Sequence, residues 1–470
     1  MRFREAIVMI PVVKIPSNAT AAMLLYVSVI GLLLVIATII RLKVSFFRKA
    51  FIPASLIAGF IGLALGPYAL NIIPQTIVGS MGTLPGQLIC IVFATMFLGY
   101  SHGEKLDKGT VHDSAAMLIW TWMGGCLQFA IPCLVTAVLF TPLMGVNPMF
   151  GSVIEIGFDG GHGTAGGMAG IFRDAAALNW PDGADLGMTT ATIGLLVGIF
   201  GGIALINYAV RKKYTAVITE PVSLGEVVEV FKGNNKPVAA YVTISKDVVD
   251  SFAFHFGVIG IAILIGKIIV SLITQALHMK GLPLFPFTML GGWIINYIFY
   301  KLGLGDLLDR KSFEKISGMA LEILIVAAIS TIKIPIVLAY WLPLLVTSVL
   351  TTICVIMTVM YICPYIYKTA WFEKGIIQFG VKTGVAAIGY MLLRTADPDW
   401  ETDSGKTYAL STPLSSPFIG GGLVTTAVPY LIKGIGAMEV GLIFTGIALV
   451  LFAVLRFFFW DKNAVKVQRS

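Results

Sequence analysis

The residues with most chemistry to offer lie in two short apolar stretches. In the first, Asp159 precedes Gly160–Gly161–His162–Gly163–Thr164; in the second, Lys382, Thr383 and Gly384 follow Phe379. A carboxylate and hydroxyls suit a hard cation that prefers oxygen, so Asp159, Thr164 and Thr383 are candidate Na+ ligands, with Thr192 and Ser415 on neighbouring segments. N–H groups opened by a broken helix carry partial positive charge and suit a carboxylate. Gly160, Gly161, His162, Gly163 and Thr164 are candidates for that role, and Lys382, Thr383, Gly384 and Arg394 from the second stretch join them.

Each residue has a plainer reading. Glycines let membrane helices approach closely, and His162 could be a satisfied interior histidine. Arg173 and Arg394 close their stretches and could snorkel to an interface. Hydroxyls such as Thr192, Ser411 and Ser415 could bond to their own helices. Lys267 and Glu322 also fall inside apolar segments, where an ion pair or an interface contact would explain them. Lys382 sits within its apolar run and is the stronger partner for an anion.

The elements that must carry these residues are membrane spans. The chain is 57% hydrophobic and 12% charged, with mean hydropathy +0.89. A soluble protein carries about 25% charged residues, so lipid takes the place of much of the aqueous surface. Strong apolar stretches lie at 21–40, 115–140, 188–210, 251–277, 337–363 and 437–460, and shorter ones at 52–70, 87–101, 284–302, 316–332 and 409–432. The net charge of +8 is dispersed among loops and forms no nucleic-acid patch. Loop charge alternates: Arg41, Lys43, Arg48 and Lys49 after the first span, none at 71–86, and Arg211–Lys212–Lys213 opening the longest polar stretch. The positive-inside rule then places the 211–250 linker and the tail (Lys462, Lys466, Arg469) in the cytoplasm, against a mild contrary signal from Arg2, Arg4 and Lys14. Cys90, Cys126, Cys133, Cys354 and Cys363 form no CxxC pair and read as buried hydrophobes.

Segments 150–175 and 371–396 match at an offset of 221, where Phe158, Gly163, Ala165, Arg173 and Ala175 face Phe379, Gly384, Ala386, Arg394 and Ala396. The two halves, each with an odd number of crossings, would be oppositely oriented. The expected architecture is an all-α integral membrane protein with two inverted-topology repeats of about five helices. The first covers 1–210 with a re-entrant or broken segment at 150–175. The 211–250 linker follows, then a second repeat at 251–433 with its break at 371–396, and an extra C-terminal helix and tail at 434–470.

At its GGHGT run, and in the TATIGLLVGIFGG that follows at 190–202, the sequence resembles the bacterial sodium:glutamate symporter family. The resemblance implies a homodimer in the inner membrane, with scaffold and moving core domains working as an elevator. It implies Na+-coupled glutamate uptake, with Na+ as coupling ion and no other cofactor. The sequence departs from the family in the second half, where FGVKTGVAAIGYMLLR replaces a glycine-rich run with a histidine near its start. Another dicarboxylate or amino acid therefore stays open, as does H+ coupling through Asp159 or His162. A channel would want rings of like charge. An intramembrane enzyme would want an HExxH or a nucleophile–base pair, and an ATP-driven pump a P-loop; the sequence contains neither HExxH nor P-loop.

Overall fold

A computed structural model describes residues 19–49, 52–100, 108–218, 236–277, 282–398 and 400–461. The charges read at Arg2, Arg4 and Lys14, and at Lys462, Lys466 and Arg469, lie outside the described residues, as does the middle of the 211–250 linker. All regular structure among the described residues is helical. The principal helices are α1 (Ala19–Lys43), α2 (Ala54–Leu65), α3 (Leu84–Ala94), α4 (Lys108–Val135), α5 (Val153–Phe158), α6 (Gly161–Arg173) and α7 (Asp182–Arg211). They continue as α8 (Ser251–Leu277), α9 (Phe285–Lys301), α10 (Arg310–Ser330), α11 (Trp341–Tyr361), α12 (Trp371–Ala396), α13 (Ser404–Ser415), α14 (Leu423–Ile435) and α15 (Ala437–Val454).

Eight helical segments among the described residues are long and apolar enough to cross a bilayer. The protein is a multi-pass membrane protein. Large apolar side chains are exposed along α8 (Phe256, Leu264, Leu272) and α15 (Leu442, Leu449, Val450), more than a water-facing surface tolerates. Several boundaries differ from the hydropathy reading. The span expected at 87–101 begins at Gln75 and ends at Ala94, because a short helix over Gln75–Met81 leads into α3. The span expected at 409–432 is split into α13 and α14 at 416–422, where three glycines interrupt it. Lys267 and Glu322 are both exposed, so neither belongs to a buried ion pair.

Two reversals organise the interior. In the first, α5 leads to a turn at Asp159–Gly161, and α6 runs back along the same stretch of the helix Asp182–Arg211. Gly161 has φ +67°, a left-handed conformation open mainly to glycine. In the second, α12 loses helical geometry at Gly384 (φ −145°) and Val385 (φ +63°). Its two halves then fold back on each other. A methyl group on Gly380 would sit 2.6 Å from Gly389 Cα, a spacing only two facing glycines permit.

α7 is the rail on which both reversals lie. Its first half packs on α5 and α6, with Thr190 donating to the Val153 carbonyl at 2.8 Å and Gly187 beside Ala165. Its second half packs on α12, with Gly201 beside Phe379 and Gly202 against Leu392. A 30-residue helix is about 45 Å long by its rise per residue, so the bends meet near its middle, at Gly194 and Gly198.

Candidate functional site

The bends touch. A methyl on Gly161 would overlap Val385, and one on Gly194 would overlap the Thr383 carbonyl. Across this contact Lys382, from the second reversal, forms an ion pair with Asp159 of the first. Both side chains are buried, at 0% and 5% exposure. α4 closes the site from a third side, and its Gly124 and Gly125 leave room for the lysine: methyls there would lie 3.3 Å from Lys382 Cε and 3.5 Å from Nζ. Gln128, one turn further along α4, donates through Nε2 to the Lys382 carbonyl at 2.5 Å. Pro132 cannot donate to the Gln128 carbonyl, and α4 passes into a π-helix at Thr136–Phe140, a form of irregularity common near functional sites.

The loop between α13 and α14 supplies the fourth side. Gly420 and Gly421 both have positive φ, +74° and +103°. Gly420 donates its N–H to Glu155 Oε1 at 3.0 Å, and Thr425 donates its hydroxyl to the same oxygen at 2.8 Å. A methyl on Gly420 would lie 3.1 Å from Asp159 Oδ1, and one on Gly421 would overlap Thr164 Oγ1.

Of the residues singled out from sequence, the structure brings together Asp159, Gly160, Gly161, Thr164, Lys382, Thr383 and Gly384. Gly163 faces away from that contact, against Ile89 of α3. His162 is buried and shares a 3.0 Å hydrogen bond with Thr192, which also donates to its own helix at Met188. Thr383 donates to Phe379 O at 2.8 Å and Ser415 to carbonyls of its own helix, which commits each hydroxyl's proton and leaves its lone pairs to accept or to meet a cation. Arg394 stands apart. It is exposed near the outer end of α12, about 15 Å of helix beyond the bend by the rise per residue.

Four participants carried no mark in the sequence reading: Glu155, Gln128, Thr425 and the Gly124–Gly125 pair. Glu155 had a usable signal, since it lies four residues before Asp159 and so on the same helix face. The register also moved. The offset of 221 carries Gly161 to Lys382, whereas the second bend comes two to three residues later, at Gly384 and Val385.

Helices that break where they meet, and that bury an ion pair at the meeting point, mark a polytopic membrane protein of the secondary-transporter class. The family model of the sodium/glutamate symporter matches residues 18–391, most of the chain, and the chain belongs to that family. It is a transporter and not an enzyme. No curated protein matches the chain. The matched region contains both bends and stops short of the Gly420–Gly421 loop and α15.

Proposed function

We propose that the protein is a Na+-coupled symporter of glutamate, working in the inner membrane as a homodimer, with the paired bends as its binding site. The supporting observation is the Lys382–Asp159 pair at their contact. An arriving carboxylate is a partner for the Lys382 ammonium, and an arriving Na+ is a partner for the Asp159 carboxylate. A substrate carboxylate that took Lys382 without Na+ would leave the Asp159 carboxylate buried and uncompensated, which costs about 3–5 kcal/mol. Both together exchange one neutral pair for two. Anion and cation thereby assist each other's binding, as symport requires.

The site is closed by packing on four sides, so the bends must part before a solute enters. The outer face of the first reversal is suited to rigid-body movement. Gly163, Gly166 and Gly167 of α6 lie against Ile89, Pro85 and Phe285, which presents a nearly flat backbone surface to α3 and α9. This favours an elevator-like motion of the two reversals and α7 past α3 and α9, with the halves related as inverted repeats. In proteoliposomes loaded with choline chloride, radiolabelled glutamate should accumulate when Na+ is supplied outside and not when choline is supplied in its place. Uptake that follows a proton gradient alone would instead favour H+ coupling. Transport of another dicarboxylate with no glutamate uptake would move the substrate assignment, consistent with the replaced second-half run around Lys382.

A further inference from the structure

Resting on the Na+-symport reading above, we infer that the structure holds a Na+ site anchored by Glu155, between the first reversal and the Gly420–Gly421 loop, with Thr164 and Asp159 as its other side-chain ligands.

Glu155 is fully buried. Its Oε1 is satisfied by the N–H of Gly420 and the hydroxyl of Thr425, but Oε2 has no hydrogen-bond partner. Thr164 is also fully buried, and its Oγ1 has no partner either. An unsatisfied buried oxygen is costly, and the great majority in folded proteins are paired. Here two of them line the same short turn: Gly420 holds Glu155, and Gly421 abuts Thr164 so closely that a side chain would overlap its hydroxyl. Asp159 flanks Gly420 as well, with Oδ1 on that side and Oδ2 turned to Lys382.

Charge points the same way. Lys382 balances Asp159, and Glu155 is a second carboxylate at the site, so an ionised Glu155 needs one further positive charge beside it. The unsatisfied atoms are a carboxylate oxygen and a hydroxyl oxygen, the donor chemistry of a hard cation. The charged and titratable groups around the site include Asp159, His162 and Lys382 on the reversals, Cys126 on α4 and Tyr408 on α13, and α7 brings the Thr192 hydroxyl to His162.

The test uses the full-length protein in detergent, with thermal stability followed against NaCl at constant ionic strength maintained by choline chloride. Ligand that binds only the folded state raises the midpoint with concentration. Wild type should show a saturable Na+-dependent rise. Glu155→Gln, which keeps shape and removes charge, should raise the half-saturating Na+ by about 10- to 100-fold or more, since loss of even a supporting partner of a metal ligand has that effect. Thr164→Val should weaken it less, and it serves as the reading should Glu155→Gln fail to fold. Unchanged Na+ dependence in the folded variants would overturn the site while leaving symport untouched. Stabilisation of wild type by protons and not by Na+ would overturn it too. Na+-driven uptake by wild-type proteoliposomes is the separate check on the underlying function.

Discussion

Replacing Lys382 with methionine removes the cation paired with Asp159 and leaves the length and most of the volume of the side chain in place. The structure sets the size of the effect. Both groups are buried, and the ammonium is enclosed by α4 glycines, so water cannot take the lysine's place without repacking. A carboxylate stranded in this way costs about 3–5 kcal/mol. With about 2.1 cal/mol/K per residue of unfolding entropy over 470 residues, or ~1 kcal/mol/K, that is a fall of about 3–5 °C in the melting midpoint. Asp159→Asn should cost a similar amount by stranding the ammonium. The double variant, in which no charge is stranded, should lie close to wild type, which gives a large favourable coupling in the cycle. Thermal denaturation of the four purified proteins in one detergent, without Na+ or substrate, measures all the terms. Additive losses in the double variant would refute the pairing and with it the charge-exchange account of coupling.

Other consequences can be checked alongside. Lys382→Met should reduce glutamate uptake by about 10- to 150-fold, the loss expected for a charge-assisted hydrogen bond worth about 1.5–3 kcal/mol, and proteoliposome kinetics would show it. Gly194→Ala should abolish uptake because its methyl meets the Thr383 backbone oxygen, whereas Gly260→Ala, with open space around it, should transport normally. Lys374 is fully buried between Asp113 and Asp403, 2.7 Å from each, so Lys374→Met should lower the melting midpoint by a few degrees at about 3–5 kcal/mol. Asp309 caps α10. Its burial disfavours charge, but hydrogen bonds from Tyr241 and Ser312 outweigh that and hold its carboxyl below the usual carboxylate range. That stabilisation is present above the unfolded pKa of about 3.9 and disappears as pH falls through the lower folded value. Asp309→Ala should therefore cost about 0.5–2 kcal/mol at neutral pH and progressively less on acidification, as read by thermal melts across pH.

How much of this was legible in the chain depended on the range of the interaction. The first bend could be read locally, because Gly160–Gly161–His162–Gly163–Thr164 is poor helix material in lipid. Lys382 stood out as an ammonium within an apolar run. That Lys382 pairs with Asp159 required the fold, since 223 residues separate them. Gln128 and the Gly124–Gly125 pair look like ordinary span residues until α4 is set against the second bend, 254 residues on in the case of Gln128 and Lys382. Arg394 shows the converse: matched residue for residue with Arg173, it ends its helix in an exposed position away from the bends. The glycines at 420–422 were visible, but their left-handed geometry and their hold on Glu155 were not. Composition and hydropathy therefore indicated the class of protein, while the site arises from contacts between segments that the chain keeps far apart.

The most direct test is equilibrium binding of radiolabelled glutamate to purified wild type and Lys382→Met, each with saturating Na+ and with choline in its place. The account predicts tight binding to wild type only with Na+, and weak binding to the variant in both media. Equal affinity of wild type with and without Na+, or a variant that binds as wild type does, would contradict the claim that anion and cation bind by dividing the Lys382–Asp159 pair.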